Sequence, residues 1–322
     1  SYTDENLYMQ AIKTANAPAA GMQVCEKRRH LVISGENFVY KFSRLSGAFD
    51  SMVVDGQELM TGPMGFSIWR APTDNDAVIK NKWFKAMYHV AKSRTYAVSY
   101  KMDGADSELD GVNIDAISEN SNAISEIVKI TAKMGMVAES VQRIMDLDVV
   151  WTIRKDGLVR LNVHAVKNPE FPALPRFGIR MMLSPKFDCV TYCGMGPFES
   201  YVDKHRASYH GIFCEKIEDL HEDYLMPQEN GSHYDCDFVE VMGGEQKLSI
   251  CCDEPFSFNA SYYSEQELTK KKHAFELEKS EGVILHIDYK LNGIGSNSCG
   301  PELLPAYRFD ECEFDFEVVI RG

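Results

Sequence analysis

Trp69-Arg70-Ala71-Pro72-Thr73-Asp74-Asn75-Asp76 compresses an aromatic ring, a cation, a proline and four short polar side chains into eight positions. An ordinary core strand does not have that composition. Pro72 fixes its own φ and pushes Ala71 towards an extended conformation, while Asp and Asn favour turns and helix N-caps. The chain must therefore leave a strand here and enter a tight bend. Directly downstream, Ile79, Trp83, Phe84, Met87, Tyr88 and Ala91 recur at helical spacing. That spacing predicts one short amphipathic helix between Asp76 and Ser93, with Asp74 to Asp76 capping its first turn.

On either side of this segment the period falls to two. Leu31-Val32-Ile33, Phe38-Val39-Tyr40-Lys41-Phe42 and Met52-Val53-Val54 are separated by Ser34-Gly35-Glu36-Asn37, Ser46-Gly47 and Asp55-Gly56. Such spacing belongs to antiparallel strands joined by hairpins. The rhythm returns at 124–134, at 149–153 and 159–166 around Lys155-Asp156-Gly157, and at 284–289. The fold class is all-β. Residues 1–24, which include Thr14-Ala15-Asn16-Ala17-Pro18-Ala19-Ala20-Gly21, show no sustained periodicity and are assigned to a linker or an appended remnant, leaving 25–322 for the domain. Length alone leaves one large domain or two tightly joined halves open.

With 34 basic and 48 acidic residues the formal net charge is −14, which opposes nucleic acid and anionic membranes as partners. Arg28-Arg29 and Lys270-Lys271-Lys272 are too short to reverse that, and no apolar run is long enough to span a bilayer. A neutral ligand such as a sugar fits the charge better. Nine cysteines are an odd number without a framing pattern, and a disulfide between the adjacent Cys251 and Cys252 would be strained. Reduced thiols are expected. Cys189-x3-Cys193 has a metal-compatible spacing, but no second Cys or His pair lies at a matching spacing nearby, so no metal and no cofactor is assigned. The N-terminus carries neither a basic stretch nor an apolar one of the secretory kind. A cytoplasmic address is expected, or a periplasmic one if a longer parent chain carries the signal.

The opening octet resembles the W/T-R-A-P-x-D-N-D loop in the C-terminal domain of the long, multidomain bacterial β-galactosidases. Four further segments agree with that family in the same order: Gly194-Met195-Gly196-Pro197-Phe198-Glu199-Ser200-Tyr201; Pro227-Gln228-Glu229-Asn230-Gly231; Phe256-Ser257-Phe258-Asn259-Ala260 with Tyr263-Ser264; and Gly293-Ile294-Gly295-Ser296-Asn297-Ser298-Cys299-Gly300-Pro301. The resemblance implies a large antiparallel supersandwich, galactose mutarotase-like, at the C-terminus of a retaining β-galactosidase. Its partners would be a galactoside at the pocket rim, the remaining domains of the parent enzyme and a second copy in a homo-oligomer. Retaining hydrolysis needs two carboxyl groups about 5 Å apart. In the family both lie in a separate barrel domain, and no segment here resembles that barrel, so no catalytic residue is assigned.

The same resemblance marks Arg70, Asn75, Glu229, Asn230 and Cys299 as candidate sugar-binding residues. Cys299 stands where the best-known members place a tryptophan that stacks on the sugar; a thiol has no broad π-face, and a small buried residue in a Gly-rich turn is the alternative. Arg70 could donate to sugar hydroxyls or to a neighbouring domain's carbonyls. For Asp74 and Asp76 the alternative is helix capping, for Trp69 packing beneath the loop, and for Arg176 a structural ion pair. Glu229 and Asn230 either read hydroxyls or satisfy backbone groups at a sharp turn. His205, His210, His221 and His233 follow or precede glutamates without a spacing that selects one acid–base pair, which leaves a free-standing sugar-binding module and an aldose epimerase as competing readings.

Overall fold

The computed structural model describes residues 9–13, 21–103, 125–295 and 300–322. A first antiparallel sheet is a meander of β1 (Gln23–Glu26), β2 (His30–Ser34), β3 (Phe38–Ser43), β4 (Ala48–Val54) and β5 (Gln57–Glu58), neighbours in that order. A larger sheet contains β6 (Met60–Ser67), β7 (Lys92–Met102), β8 (Ile127–Val137), β9 (Met145–Arg154), β10 (Val159–Lys167) and β11 (Arg176–Leu183). It is completed by β12 (Cys189–Gly196), β13 (Tyr209–Lys216), β14 (Ser232–Gly243), β15 (Gln246–Ser261), β16 (Val283–Leu291) and β17 (Glu313–Arg321). Its order runs β13-β12-β14-β15-β17-β10-β9-β8-β7, with β16 branching from β15 and leading through β11 to β6. The all-β sandwich expected from the alternation is present. Among the described residues no helix is long and apolar enough to cross a membrane.

Period-two sequence translates directly into burial. Phe38, Tyr40 and Phe42 face inward from β3 while Val39 and Lys41 face solvent, and β9 and β10 pair in the register Ile153↔Val159 across the turn that holds Gly157 at φ +78°. Asp55 and Gly56 both take positive φ between β4 and β5, the conformation that lets a two-residue hairpin follow the strand twist. Trp151 of β9 joins the two sheets. It is fully buried, lies edge-on to Phe49 at 5.0 Å and donates its indole N–H to the Gly47 carbonyl at 2.9 Å. Burial of an aromatic side chain of this size, together with its edge contacts, contributes several kcal/mol, on the order of 3–5 by the cost of truncation.

Two details differ from the expectation. The predicted helix is shorter and broken: α1 (Ile79–Lys85) ends where Met87 takes φ +60°, and a 3-10 turn, Tyr88–Val90, follows. The apolar positions still face inward, since Trp83 and Tyr88 donate to the carbonyls of Ala173 and Pro172, each at 2.8 Å. A second helix, α2 (Glu265–Lys270), begins at Ser264, whose hydroxyl accepts from Glu267 N–H at 3.0 Å. Its Ser-x-x-Glu start is a capping-box pattern, but six residues are too few for a helical period to register. Within the stretch read as a linker, residues 9–13 are helical and Ile12 is buried in a small cluster with Leu158, Cys193, Phe238, Cys251 and Val319; residues 1–8 and 14–20 lie outside the described set.

The core also holds histidines. His233 of β14 is buried between Tyr192 and Phe258, with ring centroids 4.4 and 5.1 Å away. Burial lowers its pKa to about 4, below the value near 6.5 of an unfolded chain. The folded state therefore disfavours the imidazolium, and stability present above pH ~6.5 is lost as pH falls towards ~4, by about 3 kcal/mol for this residue. His233→Phe, which keeps the stack and removes the titration, should flatten that acid limb in urea melts taken from pH 7 to 4. An unchanged slope would assign the limb to other groups.

Candidate functional site

The five motif segments, dispersed from residue 69 to residue 295, meet where β6 ends, β11 begins and β16 ends. The loop after β6 is organised by Arg70. Its side chain has no solvent exposure; Nη1 and Nη2 donate to Asp76 Oδ2 and Oδ1 at 2.6 and 3.1 Å, and its guanidinium lies 5.0 Å over the Trp83 ring. Asp76 Oδ2 also accepts from Thr73 N–H at 2.7 Å and Thr73 Oγ1 at 3.0 Å. The two aspartates thus do not cap α1, which starts beyond Val78 without a side-chain cap. Asp74–Asp76 instead form a 3-10 turn of their own, closed by Asp76 on Thr73 because Arg70 draws that carboxylate inward.

A second buried cluster lies behind the first. Arg176 of β11 donates through Nε and Nη2 to Asp288 Oδ1 and Oδ2 of β16 at 3.1 and 2.8 Å, and its Nη2 lies 3.7 Å from Glu229 Oε1. The structural ion pair anticipated for Arg176 is this one. Glu229, buried, accepts from the Asn259 amide at 3.5 Å, and burial pushes its carboxyl pKa up against the opposing pull of Arg176 and Arg70. Asn230, also buried, spends its side chain on backbone: Oδ1 accepts from Glu222 N–H at 3.0 Å, and Nδ2 donates to the Gln228 carbonyl at 2.9 Å. Gln228 in turn accepts from Asp74 N–H at 2.9 Å, tying the turn to the octet. Glu199 accepts from Gly231 N–H at 2.8 Å and from Lys204 and Tyr224.

Asn75 is half-buried at the front of this assembly. Its Nδ2 donates to the carbonyls of Ile294 and Gly295 at 2.8 and 3.1 Å. From the other side Asp203 accepts from Ile294 N–H and Gly295 N–H at 3.0 and 2.7 Å. A Cβ on Gly293 or Gly295 would fall 2.7 or 2.6 Å from Asp203 Oδ2, so the Gly-x-Gly spacing is what lets a carboxylate reach this backbone. Between Asn75, Ile294, Gly295 and Arg308 opens a cleft of about 260 Å³, with Glu302 and Asp310 on its walls.

Of the sequence-derived candidates among the described residues, Arg70, Glu229 and Asn230 come together but are buried and make their side-chain hydrogen bonds to protein, and Asn75 alone stands on the cleft. Cys299 lies outside the described residues. Trp69 packs beneath the loop against Phe84 and His89 and donates to Thr269 Oγ1 at 3.1 Å. The four histidines are dispersed: His205 meets the Tyr201 carbonyl, His210 meets Asp237, His221 lies tilted against the Tyr263 ring, and His233 is in the core. Asp203 was missed. It lies two residues past the Gly194–Tyr201 motif, and its partner Ile294 is 91 residues away, a separation that no local pattern signals.

Solved structures of similar outline include a galactose mutarotase-like protein from Lactobacillus casei (TM-score 0.43, 9% identity, 94% of this chain and 99% of that one) and a galactose 1-epimerase from Lactobacillus acidophilus (TM-score 0.45, 9% identity, 94% and 98%). In sequence, the chain is 37% identical over 292 residues to a β-galactosidase of Actinobacillus pleuropneumoniae and 34% identical over 282 residues to one of Staphylococcus xylosus. Those alignments cover 91% and 88% of this chain but 27% and 26% of the relatives. The chain thus spans about a quarter of their length. The family described as the β-galactosidase small chain matches residues 34–320, and the chain belongs to that family.

Proposed function

We propose that this chain is the sandwich domain of a multidomain, retaining β-galactosidase, where it frames the aglycone side of a galactoside pocket without supplying the carboxylates that cleave the bond. The observation that carries this reading is the joining of the motif segments in one buried hydrogen-bonded network, whose first and last segments front a cleft through Asn75 and Gly293–Gly295 with the two arginines buried behind. The buried carboxylates nearest the cleft suit support rather than hydrolysis: Asp76 and Asp288 are each held by two bonds from one arginine. Cys299, four residues beyond Gly295, is assigned to the same rim. Exposed Phe198 and Leu225 are apolar surface suited to the parent's other domains or to a second copy. Free Cys251 and Cys252, adjacent and buried, favour a reducing, cytoplasmic setting.

The chain by itself should not turn over a nitrophenyl β-galactoside. Hydrolysis that co-purifies with the monodisperse chain through two orthogonal columns would overturn the division of labour. In the full-length enzyme, Asp203→Ala should release the Gly293–Gly295 backbone and raise KM for the galactoside about tenfold with kcat changed less than about twofold, the pattern of lost uniform binding. An unchanged KM would remove this loop from the pocket.

Arg70 is assigned a supporting role, which separates it from a direct sugar contact. Arg70→Met should cost about 3–5 kcal/mol in urea unfolding, because it strands Asp76 as a buried charge, and adding Asp76→Leu should return part of the loss. A stable Arg70→Met chain would contradict the support role.

A further inference from the structure

Away from the cleft, the edge of the large sheet brings together side chains with no part in the site above. β12 pairs with β13 on one side and β14 on the other, in the registers Met195↔His210 and Cys193↔Phe238. Cys193 Sγ lies 3.4 Å from Asp237 Oδ2, and His210 Nε2 lies 3.3 Å from the same oxygen. All three potential donor atoms fall within 4.8 Å of one another.

We propose that Cys193, His210 and Asp237 form a zinc site that ties the edge strand β13 to β12 and β14. A tetrahedral zinc with Zn–S about 2.3 Å and Zn–N and Zn–O about 2.0 Å requires S···O of about 3.5 Å and N···O of about 3.3 Å. The two separations in the structure match those edges. Thiolate, imidazole and carboxylate are the donor types that zinc combines, and one thiolate plus one carboxylate balance its two positive charges. Binding forms S–Zn, N–Zn and O–Zn bonds and releases the thiol proton to solvent. Cys193 is buried against Ile12, Phe238 and Cys251, whereas His210 is exposed and Asp237 half-buried, so the ion enters from the surface and keeps its fourth position for water.

The strand pattern explains why the sequence concealed the site. Cys189 and Cys193 lie four residues apart on one strand, which at about 3.3 Å per residue separates them by roughly 13 Å, too far to share an ion. The partners of Cys193 come from the two neighbouring strands, 17 and 44 residues further along the chain.

The test uses the whole chain, reduced and freed of metal with a chelator, titrated with Zn2+ against a chromogenic competitor and, separately, with Co2+. The proposal expects one tight Zn2+ per chain, a raised melting temperature on binding, and a thiolate-to-cobalt charge-transfer band with Co2+. His210→Ala and Asp237→Asn, both at the surface, should weaken Zn2+ binding about 100-fold or more, beyond what loss of an outer-sphere partner usually costs, and Cys193→Ser should abolish the cobalt band. Absence of Zn2+ binding in competition, or binding and a cobalt band that persist unchanged in His210→Ala, would overturn the site. Because His210→Ala leaves the core intact, the outcome stands even if Cys193→Ser fails to fold.

Discussion

A guanidinium that no water reaches must find its counter-charge in the protein, and Arg70 finds it six residues on, in Asp76. Removing such a pair from water costs several kcal/mol per ion, and the mutual attraction offsets this only when the remaining lone pairs are satisfied. Here the Thr73 amide and hydroxyl supply those bonds. The backbone between the partners has little freedom left, since Pro72 fixes one φ and Asp76 must turn inward. With Asp76 held, the side chain before it, Asn75, meets the Ile294 and Gly295 carbonyls, and Asp203 takes the amides of the same two residues. The rim is therefore set by a chain of bonds that begins at a buried charge and ends at backbone.

The charges behind the rim do not cancel one for one. Two guanidinium groups, Arg70 and Arg176, face three carboxyls, Asp76, Asp288 and Glu229, and each arginine gives both of its short contacts to an aspartate. Glu229 is left with Arg176 at 3.7 Å and a long bond from Asn259. Burial of an under-compensated carboxyl favours the protonated form, which is the direction in which Glu229 is shifted. The residue whose sequence setting suggested sugar recognition thus belongs to an interior network, in which burial pushes both Glu229 and Asp288 towards the protonated form.

What could be read from the sequence follows the range of each physical signal. Strand alternation is local and strong: β3, β8, β10 and β16 lie within two or three residues of where period two places them. Helical period needs two turns or more, so α1 was legible through Ile79, Trp83 and Phe84, while the break at Met87 and the six-residue α2 were not. The octet announces a bend, but its aspartates read locally as a helix cap because the claim of buried Arg70 on Asp76 has no local signature. Contacts closed by topology left no trace: Asp203 with Gly295, and Cys193 with His210 and Asp237, join segments that neither composition nor spacing connects.

Both surface features arise where backbone pairing stops. Within a ladder each N–H and C=O is used by the neighbouring strand; past its last pair those groups need other partners. β11 and β16 pair as far as Arg176↔Leu291, and beyond that point Asn292 N–H turns to the Pro175 carbonyl, Asn292 Oδ1 takes Phe309 N–H, and Asp203 takes the amides of Ile294 and Gly295. β12 and β14 pair as far as Cys193↔Phe238, and Asp237 lies one residue past that last pair, at a register shift against β15. A carboxylate released from strand alternation can point where a regular strand would not send it. One such release builds the rim of the cleft from backbone amides; the other sets a carboxylate beside a thiol and an imidazole on adjoining strands.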